Sequence, residues 1–234
     1  MLPFVAAVIV SYLLGSIPAA HIAGMSKGID LRKHGSGNLG ATNVIRVLGT
    51  KIGLMVFAFD MAKGALPVFA FSTWLPPASL LMGDRTITGI VCGIAAIIGH
   101  VRPVYLKFGR GGKGVATAAG VFLALAPVQT LLTLVIFAVV LLSSGYVSLG
   151  SLTSALMLPV LLAVTVGARS PLFAISVAVA VFVFWTHRAN IGRLRRGEEH
   201  RFGKRGAPAT RPAVTIAISL VIVLALIAAR QFGK

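Results

Sequence analysis

The fold class this sequence predicts is all-α: a polytopic integral membrane protein in which several helices are short or broken. Three observations carry it. Hydrophobic residues make up 57% of the 234 residues and charged ones only 12%, and the mean hydropathy is +0.94, far from the balance of a soluble domain. The apolar runs are long and continuous, whereas a barrel would show segments of about ten residues alternating apolar and polar. Lysine and arginine gather in 25–51, 102–113 and 188–211, which hold 5, 4 and 8 of the 22. Such clustering follows the positive-inside bias and marks all three stretches as cytoplasmic.

Each spanning element needs roughly 20 residues of helix. The first is expected at 2–24; its cationic flank follows it, so it starts outside, and without a basic leader or cleavage site it reads as a retained helix. The basic loop 25–50 leads to a helix at about 51–74, ended by the Pro76-Pro77 break. A short outer loop carries Asp84 and Arg85, whose charges cancel, and a third helix at about 86–106 returns the chain inside. Residues 114–142 as one helix would be roughly 43 Å long, too much for a core of ~30 Å. Pro127 therefore predicts a break into 114–126 and 127–144. Two further helices, 147–166 and 171–186, flank Gly167 and the Ser170-Pro171 turn. Four passes then separate the second and third basic stretches; without the break, the eight cations of the third would lie outside. A last apolar run, 213–229, predicts an additional C-terminal transmembrane helix. The chain accordingly divides into a membrane-embedded core, 1–205, and a C-terminal tail, 206–234.

The formal net charge of +17 raises the question of nucleic acid. The aromatic residues lie mostly inside apolar runs, so the expected partners are anionic membrane lipids and anionic substrates, and no nucleic acid. Cys92 is the lone cysteine, which rules out a disulfide within the chain. The five histidines are scattered, so neither a metal nor a cofactor is expected. Asp60 and Lys63, three apart on one helix face, are expected to form a mutual salt bridge that relieves the cost of burying charge. Neither Asp60 nor Asp84 has an evident histidine partner, which argues against a Ser-His-Asp triad.

Three inner stretches carry the polar chemistry. The second of them reads Gly109-Arg110-Gly111-Gly112-Lys113-Gly114-Val115-Ala116-Thr117. Glycines at this density let backbone N–H groups converge on an anion, and Arg110 and Lys113 add charge. Taken alone, a flexible loop touching lipid headgroups fits as well. A nucleotide-binding P-loop does not: Lys107 stands where that motif has its first Gly, and Gly114 follows Lys113 where it has Ser or Thr. The first stretch runs from Gly35-Ser36-Gly37-Asn38 through Thr42 and Asn43 to Arg46. A helix beginning at Ala41 would put Thr42 and Arg46 on one face, with its N-terminus beside Ser36 and Asn38; an ordinary turn at a helix cap is the competing reading. The third stretch runs from His187 to Glu199. If the preceding helix continues, His187 and Asn190 share a face, and His187 serves as proton acceptor or as donor to a phosphate. Arg193, Arg195 and Arg196 read as lipid-headgroup contacts, with Glu198 and Glu199 offsetting their repulsion.

In this order and spacing the chain resembles the acyl-phosphate:glycerol-3-phosphate acyltransferase family of bacteria. The matching stretches are Gly15-Ser16-Ile17-Pro18; Ser36-Gly37-Asn38 through Asn43 and Arg46; Asp60 to Gly64; Gly99-His100; Gly111-Gly112-Lys113-Gly114 with Ala116-Thr117; and His187 through Asn190, Arg193, Gly197 and Glu199. They cover about residues 8–200, and the run at 213–229 is the departure, since family members usually end soon after the third motif. The resemblance implies a seven-helix core in the bacterial inner membrane with its active site facing the cytoplasm. It implies transfer of a fatty acyl group from long-chain acyl phosphate to the 1-hydroxyl of sn-glycerol 3-phosphate, giving lysophosphatidic acid and phosphate, the first step of phospholipid synthesis. An acyl-phosphate-producing enzyme is then a candidate partner.

By the same resemblance Ser36, Asn38, Arg46, Lys113, His187 and Asn190 are the catalytic set. Gly37, Thr42, Asn43, Gly111, Gly112, Gly114, Thr117, Ser148, Ser151 and Glu199 are the substrate-binding set. Lys113 and Arg46 would answer phosphate charge, and His187 with Asn190 would hold the glycerol phosphate. The His-x4-Asp pattern of the other large class of glycerol-phosphate acyltransferases is absent, because the residue five after each histidine is not Asp. The alternative is a transporter or channel for an organic phosphate. Its polar groups would sit near the midplane, whereas these gather at one membrane face.

Overall fold

A computed structural model describes residues 1–202 of the chain; the apolar run 213–229 and the boundary at 205/206 lie outside the described residues. Among the described residues all regular structure is helical. The α-helices are α1 (Leu2–Ser16), α2 (Ala19–Met25), α3 (Ala41–Leu48), α4 (Thr50–Trp74), α5 (Arg85–Val101), α6 (Val115–Leu125), α7 (Pro127–Ser144), α8 (Val147–Thr165), α9 (Pro171–Thr186) and α10 (Arg188–Arg195). Five segments are long and apolar enough to cross a bilayer, with α1 and α2 counted as one span; α9 with α10 makes a sixth, and the eleven-residue α6 is a further, shorter apolar helix.

Two expectations need correction. The first span is not one helix: Pro18 has no N–H to donate, and the chain leaves the helical region at Ile17 before α2 begins. Nor does the helix before His187 continue, because α9 and α10 meet at an angle of 60°. The break at Pro127 stands as expected, with α7 starting on that proline, where the missing N–H costs nothing.

The chain divides there into two compact units, Met1–Pro127 and Val128 onward. In the first unit helices pack through glycines, as membrane helices do when backbone must approach backbone. A methyl group on Gly15 would overlap the Ala96 carbonyl oxygen of α5, and one on Gly99 of α5 would overlap the Tyr12 carbonyl oxygen of α1. The same reciprocity joins α4 and α6: Gly64 meets the Thr117 carbonyl and Gly120 meets the Met61 carbonyl. Asp84 and Arg85 each serve a helix end. The Asp84 carboxylate caps α5 by accepting from the Thr86 and Ile87 amides, and the Arg85 guanidinium donates to the Ser72 and Thr73 carbonyls ending α4.

In the second unit, α7 and α8 share a core of Ile136, Val140, Met157 and Leu161. Polar bonds in this apolar setting hold the same two helices together: Ser154 Oγ donates to the Thr133 carbonyl at 2.9 Å, and Gln129 Nε2 to Thr165 Oγ1 at 2.8 Å.

Candidate active site

The first polar stretch folds as a tight loop into the uncapped N-terminus of α3 at Gly40. Gly35 and Gly37 have φ of +62° and +69°, a region where other residues are strained, so the run of small residues is needed for the turn itself. Asn43, expected in the substrate-binding set, is instead buried with its side chain occupied. Its Oδ1 accepts the Ser36 N–H at 2.8 Å, and its Nδ2 donates to the carbonyls of Leu31 and His34 at 3.2 and 3.1 Å. The amides of Ser36 and Gly37 are both engaged inside the loop, the latter with the His34 carbonyl. Ser36 and Arg46 are exposed; Asn38 and Thr42 are half-buried.

The glycine-rich loop joins α5 to α6. Of its glycines only Gly114, the residue before α6, needs the left-handed region, with φ of +80°. Gly111 and Gly112 have a different reason for lacking a side chain. A methyl group on Gly111 would overlap the His100 carbonyl oxygen, and one on Gly112 would overlap His100 Nε2 and come within 2.9 Å of the Leu39 carbonyl oxygen. Here the first and second stretches meet. The Gly111 amide is bonded to the Val101 carbonyl at 3.0 Å, so the loop does not turn all its N–H groups to one point. Lys113 is half-buried, and Thr117 is fully buried at a helix contact with its hydroxyl inside the packing.

Beneath this meeting point Asp60, Lys63 and His100 gather in a buried cluster. Asp60 and Lys63 form the expected pair, Nζ to Oδ1 2.7 Å, with Lys63 also donating to the Ile17 carbonyl at 2.8 Å. Contrary to expectation, Asp60 also has a histidine neighbour: His100 Nδ1 stands 3.5 Å from its Oδ1, and all three side chains are almost wholly buried. With Pro18, Leu39, Gly111 and Gly112 they enclose a cavity no larger than one water molecule needs. The spacing of Asp60 and Lys63 announces their pair, whereas nothing in the spacing announces that His100 joins it.

The third stretch, in the second unit, is organised by Glu199. Its Oε1 accepts from Asn190 Nδ2 at 2.5 Å and from Ser148 Oγ at 2.9 Å, while Oε2 pairs with Arg193 Nε at 2.7 Å. Burial pushes the Glu199 carboxyl up, but the donors Asn190, Ser148 and Arg193 together outweigh it and hold it below its ordinary range. Arg193 is thus an ion-pair partner rather than a lipid contact. The Phe202 amide donates to the Gly145 carbonyl at 2.6 Å, folding 199–202 back against the start of α8. Ser151 donates to its own helix at Val147. His187 is buried at the bend, and its Nδ1 contacts the Val183 carbonyl at 2.8 Å; the neutral ring then carries its proton on Nδ1 and its lone pair on Nε2. The helix expected to carry His187 and Asn190 on one face is broken between them and α9, and both side chains are buried, His187 at the bend and Asn190 within α10. Among the described residues no three His, Cys, Asp or Glu side chains gather as a metal would require.

Fold and loops together define an all-α integral membrane protein bearing cationic, glycine-rich and amide-rich loops. The family model described as glycerol-3-phosphate acyltransferase matches residues 5–197. The chain belongs to that family. It is 40% identical over 236 positions to a glycerol-3-phosphate acyltransferase of Chlorobaculum tepidum, covering 88% of this chain and 100% of the relative. It is 46% identical over 200 positions to one of Prochlorococcus marinus, covering 83% and 92%. Among solved structures, the integral membrane glycerol 3-phosphate acyltransferase PlsY (YgiH), in its glycerol 3-phosphate form, superposes with a TM-score of 0.77 at 38% identity, over 86% of this chain and 96% of that one. Its lysophosphatidic acid form gives 0.75 at 37%.

Proposed function

We propose that this chain moves a fatty acyl group from acyl phosphate to the 1-hydroxyl of sn-glycerol 3-phosphate, in the bacterial inner membrane, with its active site toward the cytoplasm. The observation that carries the reading is the contact of Leu39 with Gly112, which brings a hydroxyl- and amide-bearing loop against a cationic glycine-rich one. Relatives of this chain include a solved acyltransferase in glycerol 3-phosphate and lysophosphatidic acid forms, and both compounds carry the phosphate such loops suit. The basic stretches support the orientation.

The chemistry asks little of the protein beyond placement. The 1-hydroxyl oxygen attacks the carbonyl carbon, the bond from that carbon to the phosphate oxygen breaks, and phosphate leaves with the electron pair. The hydroxyl proton goes to His187 Nε2 or to a substrate phosphate; the latter needs no protein base. Carboxyl phosphate is already activated, so holding the hydroxyl against the carbonyl supplies much of the rate. Lys113 and Arg46 offset phosphate charge, and the Ser36 hydroxyl, Asn38, Thr42 and the glycine-rich loop answer charge building on the carbonyl and leaving group, while Gly37, its amide bonded to the His34 carbonyl, serves the turn. His187 and Asn190 orient the glycerol phosphate. Asn43 and Glu199 act by shaping the loops, with Ser148 held through Glu199.

Purified protein given acyl phosphate and labelled glycerol 3-phosphate should form 1-acyl lysophosphatidate and phosphate in equal amounts. Counterflow of labelled glycerol 3-phosphate into vesicles without a donor, and no acylated product, would instead mark a transporter. A cysteine replacing Arg195 should react with an impermeant thiol reagent only from the cytoplasmic side; labelling from the other side contradicts the orientation.

A further inference from the structure

We infer that Asp60, Lys63 and His100 form a buried strut that fixes the glycine-rich loop against the first loop, making His100 a positioning residue for the phosphate-holding backbone. The inference rests on the function proposed above and assigns it three side chains that touch no substrate. Five separate parts of the first unit meet here: the α1–α2 break, the first loop, α4, α5 and the glycine-rich loop. Lys63 Nζ ties α4 to the Ile17 carbonyl at the α1–α2 break, and to Asp60. Asp60 faces His100 Nδ1 across 3.5 Å. The other ring nitrogen of His100 lies against Gly112, and Gly112 lies against the Leu39 carbonyl of the first loop.

Burial shows that this is more than an ordinary helix contact. Asp60, Lys63 and His100 are 2%, 5% and 6% exposed, and a lone charge in such a place is costly, so Lys63 neutralises the carboxylate that faces the imidazole. The carboxylate faces one edge of the ring at 3.5 Å, too long for a hydrogen bond, and the ring, almost wholly buried between it and the glycine-rich loop, presents its other edge to Gly112 as a wall. Gly112 is in an ordinary backbone region, absent from the positive-φ glycines, so its lack of a side chain is explained by that wall and by Leu39. Removing the ring lets the Gly111–Gly112 turn sink toward α4 and opens the spacing between the two loops. Loss of placement of this kind weakens substrate holding.

The test uses the full chain in detergent, with melting temperature, equilibrium binding of labelled glycerol 3-phosphate, and steady-state kinetics in which each substrate is varied separately. His100→Ala is expected to raise KM for a phosphate-bearing substrate by about tenfold or more while kcat falls less than about threefold, the pattern of lost ground-state holding. His100→Gln, which keeps a polar group of similar reach against Gly112, should recover most of the loss. Should His100→Ala fail to fold, the charge-neutral pair Asp60→Asn with Lys63→Met frees the ring without leaving a buried charge and should show the same KM effect. Folded variants with both KM values and glycerol 3-phosphate binding within about twofold of the parent would overturn the strut. So would His100→Gln behaving like His100→Ala. A parent protein that binds glycerol 3-phosphate but transfers no acyl group would count against the proposed reaction, and the binding comparison would still decide the strut.

Discussion

The side-chain oxygen of Asn43 accepts the backbone N–H of Ser36 at 2.8 Å, so a residue of α3 fixes the loop that precedes it. Its amide nitrogen donates to the carbonyls of Leu31 and His34, and the three bonds together close residues 31–43 on themselves. Asn43→Ala should therefore remove three hydrogen bonds, one buried and two part-buried, at about 0.5–1.5 kcal/mol for each. The expected outcome is a lower melting temperature together with lost activity. Asn43→Asp keeps the acceptor but sets a carboxylate oxygen against two carbonyls, so it should not restore the protein; wild-type melting and turnover in Asn43→Asp would refute the brace.

Glu199 links acid stability to the second unit. Its folded carboxyl lies below the ordinary 4.5, so its contribution is present above that value and is lost as pH falls through the depressed folded value. Glu199→Gln should melt below wild type at pH 7, with the gap narrowing below about pH 4.5. Parallel melting curves across this range would contradict the hub drawn from Ser148, Asn190 and Arg193.

Lys113→Ala and Arg46→Ala should each abolish acyl transfer while the protein still inserts into membranes. Arg46 is exposed on α3 and Lys113 half-buried, so neither truncation opens a core cavity. Near-normal turnover in either variant removes the phosphate-holding role.

His187→Ala separates the two proton routes. A general base is worth ~10²–10⁴ in rate, so a loss of about tenfold assigns the proton to a substrate phosphate, and a larger one assigns it to Nε2. Because Nδ1 is committed to the Val183 carbonyl, His187→Gln should not recover a base-dependent rate.

Helices and breaks with a local cause were legible in the sequence. Pro127 announced the split between α6 and α7, and the polar, glycine-rich loops stood out against their apolar flanks. What the loops do internally was not legible. Asn43 reads the same whether it meets a substrate or a neighbouring carbonyl, and only the fold shows its amide already occupied. Gly111 and Gly112 suggested backbone freedom, yet their reason is the imidazole and carbonyl of His100 packed beneath them. Asp60 and His100 lie forty positions apart on different helices, a separation at which residue spacing carries no contact information. The bend at His187 has no proline or glycine to mark it.

The identity of the acyl donor is decided by one assay: purified protein with labelled glycerol 3-phosphate and, in separate reactions, a long-chain acyl phosphate, the corresponding acyl-CoA and the corresponding acyl carrier protein. Labelled lysophosphatidate is expected from acyl phosphate alone. Product from acyl-CoA or acyl carrier protein, with none from acyl phosphate, would contradict it.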